Sequence, residues 1–161
     1  MPRRVPIRIF PGCLGRITAG ELRRIARHVL DAEGVAPGVE VEVVLAGAET
    51  VRELNRLYRG RHEETDVLSF AEADVAAAFV SPEGAPPSLG EVVVCLPVAE
   101  ARAAAAGRPV AGEVAHLLTH GLLHLLGYDH EAGEMEAARM QEREDELLSA
   151  LGYAGRYEHG H

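Results

Sequence analysis

Residues 110 to 130 read VAGEVAHLLTHGLLHLLGYDH. Leucines surround the histidines on most sides, which predicts a helix from about Val110 to Leu126 that is buried nearly all round. His120 and His124 are four residues apart, so their side chains project from one helix face, with Cβ atoms about 6 Å apart. Two imidazoles placed in this way can bind one ion.

A third ligand requires the chain to turn back, and Gly127 permits such a turn. Glycine readily adopts the left-handed conformation that closes a helix, so we expect His130 to return toward the pair. Three imidazoles buried without partners would cost about 1 to 3 kcal/mol each, and a metal ion removes that cost. The HxxxHxxGxxH spacing therefore predicts one metal ion bound by His120, His124 and His130. Three neutral imidazoles with an open coordination position suit Zn²⁺ best.

The residue after the first histidine distinguishes this motif from that of a zinc protease. Metzincin proteases use the same histidine spacing with a glutamate at this position, where it acts as general base. Here the position is Gly121. A peptidase of that type would lack its proton acceptor, so we rank proteolysis low.

Two residues near the motif have more than one interpretation. His116 lies one turn before His120 on the same stripe. We favour a histidine packed between helices, with a contact to the metal site as the alternative. Asp129 either orients an imidazole, as carboxylates beside metal ligands do, or forms the turn before the last helix. The sequence favours neither role for Asp129.

Hydrophobic periodicity predicts further helices and strands along the chain. Thr18 to Glu21 fits a capping box, and apolar residues at helical spacing follow until Gly34. Strands are expected at Val5–Phe10, Val39–Leu45, Asp66–Phe70 and Glu91–Leu96, and helices at Ala48–Tyr58, Val98–Ala106 and from the last turn to about Leu151. The prolines between Ala71 and Ser88 indicate a surface loop. No repeat or linker divides the chain, so we expect one domain over residues 1–161.

Composition limits the class of protein and its compartment. The chain has 161 residues, and no apolar run is long enough to cross a bilayer. The basic N-terminus has no long apolar segment behind it, so we expect no signal peptide. Cys13 and Cys95 lie far apart, outside any metal-binding spacing, and are expected to be reduced thiols. These features predict a cytoplasmic protein with no membrane partner.

The charge distribution is uneven along the chain. The formal net charge of −9 speaks against a nucleic-acid partner, yet seven arginines precede residue 29. A second group comprises Arg52, Arg56, Arg59 and Arg61. Most of the acid follows the motif, at Glu131, Glu134, Glu136, Glu142, Glu144, Asp145 and Glu146. An acidic protein of this kind can still present a basic face.

The stretch HGLLHLLGYDH resembles the signature of the YbeY family, bacterial zinc-dependent endoribonucleases that act in ribosomal RNA maturation. Two further blocks are similar and fall in the family's order. One is Leu54-Asn55 with Tyr58-Arg59, followed by TDVLSF at residues 65–70. The other is LGEVVV at residues 89–94, with Glu91 where the family usually has aspartate. The resemblance covers roughly residues 40–153.

This resemblance implies an α+β fold in which a small mixed sheet of about four strands is packed by five or six helices. It implies one Zn²⁺ held by His120, His124 and His130, with His120 counted among the catalytic residues. It also implies an essential arginine, which maps onto Arg59. Phosphodiester cleavage builds charge on the non-bridging oxygens, and a guanidinium fork can meet that charge.

The activity implied is single-strand-specific cleavage of RNA in 16S ribosomal RNA 3′-end maturation and in ribosome quality control. The partners implied are precursor ribosomal RNA and the ribosome or its proteins. Two alternatives stay open on the sequence alone. One is a non-catalytic, zinc-stabilised ribosome-associated binding module, which the acidic last helix supports. The other is a metal-dependent hydrolase of another substrate class, which needs a base from elsewhere in the chain.

Overall fold

In the computed structural model, which describes residues 3–59, 66–71 and 87–153, four strands form one mixed sheet. They are β1 (Ile7–Ile9), β2 (Glu40–Ala46), β3 (Val67–Ala71) and β4 (Ser88–Cys95). The spatial order is β1-β2-β4-β3. β1, β2 and β4 are parallel, and β3 pairs with β4 in the antiparallel direction.

The described ranges contain five α-helices. They are α1 (Ala19–Ala32), α2 (Ala48–Arg59), α3 (Leu96–Ala106), α4 (Val110–Leu125) and α5 (Glu134–Leu151). The expected α+β class, with its four-stranded mixed sheet, is confirmed. None of these helices combines the length and the apolar character needed to span a membrane.

The predicted loop from Ala71 to Ser88 is wrong at both ends. Ala71 is the last residue of β3, where it pairs with Gly90, and Ser88 is the first residue of β4, where it pairs with Glu40. Pairing with neighbouring strands extends the sheet past the point where the sequence loses its β-branched residues. The intervening residues 72–86 lie outside the described residues.

Strand β4 separates two apolar layers, because successive side chains of a strand point to opposite faces. Val92 and Val94 face the layer formed with α1, α4 and α5. Val93 and Cys95 face the smaller layer formed with α2. The three valines are fully buried, so β4 is a central strand covered on both faces. The two layers fix α4 against the middle of the sheet.

Both cysteines are buried free thiols. Burial raises the pKa of the Cys13 thiol, and the neighbouring Glu100 carboxylate raises it further. A thiol held in its protonated form is a poor nucleophile. We therefore assign Cys13 a packing role and no reactive one.

Several N-terminal arginines hold the fold together. The side chain of Arg3 is almost fully buried, and its guanidinium donates to three carbonyl oxygens and to the Asp31 carboxylate at 2.6–3.0 Å. The three carbonyls belong to Val35, Ala36 and Val39. Arg23, Arg24 and Arg27 likewise donate to the carbonyls of Val5, Leu151 and Arg3. Much of the basic N-terminal charge therefore serves structural contacts.

Substituting Arg3 by methionine should lower the free energy of unfolding by about 3 kcal/mol, because buried carbonyls lose charged donors. Urea denaturation monitored by circular dichroism measures the change. Arg4→Met is the matched control, since the Arg4 side chain is 77% exposed and lies 3.8 Å from Glu40. An exposed pair of this kind contributes about 0 to 1 kcal/mol. Equal losses in the two variants would contradict the structural role of Arg3.

Candidate metal centre

Helix α4 lies directly against the sheet at Gly121. A Cβ atom on this residue would lie 2.6 Å from Val92 Cγ1, 3.0 Å from Val67 Cγ2 and 3.1 Å from Ser69 Oγ. The Ser69 hydroxyl also donates to the Gly121 carbonyl at 2.9 Å. Real Cβ atoms do not approach other atoms as closely as 2.6 Å, so any side chain here would force Val92 or α4 to shift. The missing glutamate of the protease motif thus has a packing reason.

On another side of α4, two histidines bind one buried carboxylate. His120 Nδ1 lies 2.6 Å from Glu144 Oε1, and His116 Nε2 lies 3.2 Å from Glu144 Oε2. The side chains of Glu144 and His116 are each 1% exposed, and that of His120 is 12% exposed. An ionised carboxylate can only accept hydrogen bonds, so with Glu144 ionised both imidazole nitrogens donate. In neutral His120, the lone pair is then on Nε2.

Glu144 is a site residue that the sequence interpretation missed. In the sequence, Glu144 is one of several acidic residues that follow the motif. The signal that could have found it is its position on α5, where the other buried residues are Met140, Leu147, Leu148 and Leu151. Glu144 falls on this stripe at the spacing of a core residue, four after Met140 and three before Leu147. A carboxylate at a core position needs a partner, and the histidines of α4 provide two.

The turn after α4 brings His130 back toward the helix. The Tyr128 amide donates to the Leu123 carbonyl and the Gly127 amide to the His124 carbonyl, both at 3.1 Å. Gly127 has φ of 102°, so the helix ends in a Schellman motif that favours glycine. The ring centroids of His120 and His130 are 5.0 Å apart.

The other candidate site residues differ in their exposure and contacts. The His124 side chain is exposed, one turn after His120 on α4. Asp129 accepts a hydrogen bond from the Glu131 amide at 2.9 Å, which is the contact of a turn-forming aspartate. His116 is both packed between helices and bonded to Glu144, so its two interpretations are compatible. Arg59 is the last residue of α2, and its side chain lies outside the described part of the structure.

The fit of these residues to a metal ion follows from their donor chemistry. Within the described ranges, no three His, Cys, Asp or Glu side chains form a closed metal-binding group. The rings of His120 and His130 come together, whereas His124 does not complete a group with them. Imidazole nitrogens are suitable zinc ligands, and a carboxylate on the second nitrogen of one of them is the usual support. The donor set therefore fits a zinc ion, although the ligands are not assembled around one.

Glu91, the departure from the third family block, lies on the opposite face of the sheet. It lines a cavity of about 190 Å³ together with Val44, Leu54 and Phe70. Burial raises the pKa of the Glu91 carboxyl, the Glu42 carboxylate raises it further, and Arg8 opposes the shift. The glutamate at this position therefore lies outside the surroundings of the α4 histidines.

Known proteins are similar to this chain over the whole candidate metal centre. The family described as endoribonuclease YbeY matches residues 15–152. Endoribonuclease YbeY of Roseiflexus sp. (strain RS-1) is 41% identical over 150 residues, which are 93% of this chain and 94% of the relative. That of Paramagnetospirillum magneticum is 46% identical over 130 residues, 80% of this chain and 78% of the relative. The solution structure of TM1509 from Thermotoga maritima superimposes with a TM-score of 0.59 and 25% identity, over 92% of this chain and 89% of that one.

Proposed function

Because the chain belongs to the YbeY family of endoribonucleases, we propose that it is a zinc-dependent hydrolase that cleaves single-stranded ribosomal RNA precursors in the cytoplasm. Family membership favours cleavage over a non-catalytic binding module and over other substrate classes. The observation that supports a metal is the buried Glu144 carboxylate on Nδ1 of His120. The proposed process is maturation of the 16S ribosomal RNA 3′ end, together with ribosome quality control, with the ribosome as partner.

In this proposal His120, His124 and His130 hold one zinc ion through imidazole nitrogens. When bound, zinc acts as a Lewis acid on the phosphodiester and makes a water molecule more acidic. His120 is presented by a helix that the sheet fixes in place, because Gly121 allows close packing and Ser69 bonds its carbonyl. A ligand on a rigid element is held in one geometry at little entropic cost.

Arg59 is proposed to stabilise the charge that develops on the phosphate. Cleavage of a phosphodiester increases negative charge on the non-bridging oxygens, and a guanidinium donates two parallel hydrogen bonds to such a group. Arg59 is the last residue of α2. This position supports the role, because the helix fixes the backbone from which the long side chain extends. The role itself comes from the resemblance to the family, whose essential arginine maps onto Arg59.

Arg59→Ala should slow cleavage of a single-stranded RNA by about 10²- to 10³-fold, the usual cost of removing one donor to a developing charge. Single-turnover cleavage of a labelled RNA measures the rate, and the bound metal should be unchanged. Arg56→Ala is the matched control, because Arg56 lies one turn earlier on α2 and pairs with Glu53. Equal rates for the two variants would refute the assignment of Arg59.

The substrate class is tested with three RNAs cut by the same preparation of enzyme. They are a single strand, a duplex of the same sequence, and a 16S precursor fragment that carries its unprocessed 3′ end. The proposal expects cleavage of the single strand and the precursor, with the duplex left largely intact. Equal cleavage of single strand and duplex would contradict single-strand specificity, and an intact precursor would contradict the proposed process.

A further inference from the structure

One carboxylate joins two helices beneath the candidate metal centre. Glu144 is on α5, and its partners His116 and His120 are one turn apart on α4. Each carboxylate oxygen has its own imidazole, so the group is held at two points and cannot rotate freely. The shorter of the two contacts, at 2.6 Å, is the one to His120.

An apolar side chain would serve packing better at this position. The other buried residues of α5 are Met140, Leu147, Leu148 and Leu151, and they share its stripe. Replacing a buried ionic group by an apolar residue of similar size is often neutral or stabilising in proteins. Methionine or leucine could not accept the two hydrogen bonds that Glu144 accepts, so these bonds indicate what the carboxylate does.

That role concerns which nitrogen of His120 carries the hydrogen. A hydrogen bond to one imidazole nitrogen decides the tautomer and turns the other nitrogen into the acceptor or metal ligand. Here Nδ1 faces Glu144, which leaves Nε2 as the nitrogen with the lone pair. An ionised carboxylate at Nδ1 thus favours one tautomer of the ring over the other.

We propose that Glu144 is a positioning residue, which orients His120 and fixes its Nε2 for a metal ion, while His116 holds Glu144 in place. This inference rests on the proposed function, in which His120 is a metal ligand. Glu144 acts through His120 and need not contact RNA or metal. His116 completes the arrangement by donating to the second carboxylate oxygen, which keeps the first one directed at His120.

The first experiment measures Zn²⁺ affinity of the full chain by competition with a chromophoric chelator. Glu144→Gln keeps the shape of the side chain and removes its charge, so the dissociation constant for Zn²⁺ should rise about 10- to 100-fold. Glu142→Gln is the matched control, because Glu142 is exposed on the same helix and the change in charge is identical. Equal affinities of the two variants would overturn the proposal.

The second experiment reads the tautomer directly in the wild-type chain after metal removal. Nitrogen chemical shifts of the His120 ring should show hydrogen on Nδ1 and a lone pair on Nε2. Hydrogen found mainly on Nε2 overturns the proposal, whether or not Glu144→Gln folds.

A third variant, His120→Ala, distinguishes a wrong metal site from a wrong role for Glu144. If His120→Ala binds Zn²⁺ as tightly as wild type, the proposed metal site is wrong and the positioning role toward a metal falls with it. If His120→Ala weakens Zn²⁺ binding while Glu144→Gln does not, the proposed function stands and the inference on Glu144 alone is rejected.

Discussion

His120→Ala should slow cleavage of single-stranded RNA by about 10³-fold or more while the chain stays folded. The substitution removes a proposed ligand, and loss of a Lewis acid costs several kcal/mol of transition-state stabilisation, each 1.36 kcal/mol being a factor of ten in rate. Truncation also removes the hydrogen bond from His120 to the buried Glu144, which should cost about 1 to 3 kcal/mol of stability, and circular dichroism checks that the fold persists. Cleavage rate and bound zinc should fall together.

The measurement needs metal content and nuclease rate from the same preparation, because contaminating nucleases are common. His28→Ala on α1 is the matched control, because His28 is not one of the proposed ligands, and it should retain both zinc and activity. Removing zinc from wild type with a chelator should abolish cleavage, and adding Zn²⁺ should restore it. A His120→Ala protein with wild-type activity would exclude this histidine from catalysis.

Gly121→Glu should prevent native folding or lower the free energy of unfolding by more than about 4 kcal/mol. Its Cβ would lie 2.6 Å from Val92 Cγ1 and 3.0 Å from Val67 Cγ2, and a carboxylate would be buried against the sheet. Gly121→Ala should cost about 1 to 3 kcal/mol, because overpacking outweighs the better helix propensity of alanine.

Urea denaturation of the two variants measures these losses. Gly20→Ala on α1 is the control, since the nearest atom to a Cβ there is Thr18 Oγ1 at 3.9 Å. This substitution should be neutral or stabilise by up to about 1 kcal/mol. A stable Gly121→Glu protein would show that α4 can move away from the sheet, and the protease-type glutamate would then be sterically permitted.

The sequence by itself determined the features that depend on neighbouring residues. The predicted helix from Val110 to Leu126 differs from α4 by one residue, and Gly127 ends it in the left-handed conformation as expected. Thr18 accepts from the Glu21 amide at the start of α1, which confirms that half of the capping box. Helical periods, caps and turns involve residues within a few positions of each other, so sequence spacing is enough to specify them.

The role of Glu144 required the tertiary structure. It lies 28 residues from His116 and 24 from His120 along the chain, and only the packing of α5 on α4 brings them together. In the sequence it is one acid among several, because a helix pattern shows which face is buried but does not identify what that face meets. The buried Arg3 is a parallel case, since its carbonyl partners lie 32 to 36 residues away.

At Gly121, the sequence and the tertiary structure each determine a different feature of the same residue. The sequence determined that no glutamate follows the first histidine of the motif, which speaks against a metzincin protease. The tertiary structure decided why: Val92, Val67 and Ser69 from two strands occupy the space that any side chain would need. Steric exclusion depends on distances between segments remote in sequence, and those distances exist only after the helix has packed on the sheet.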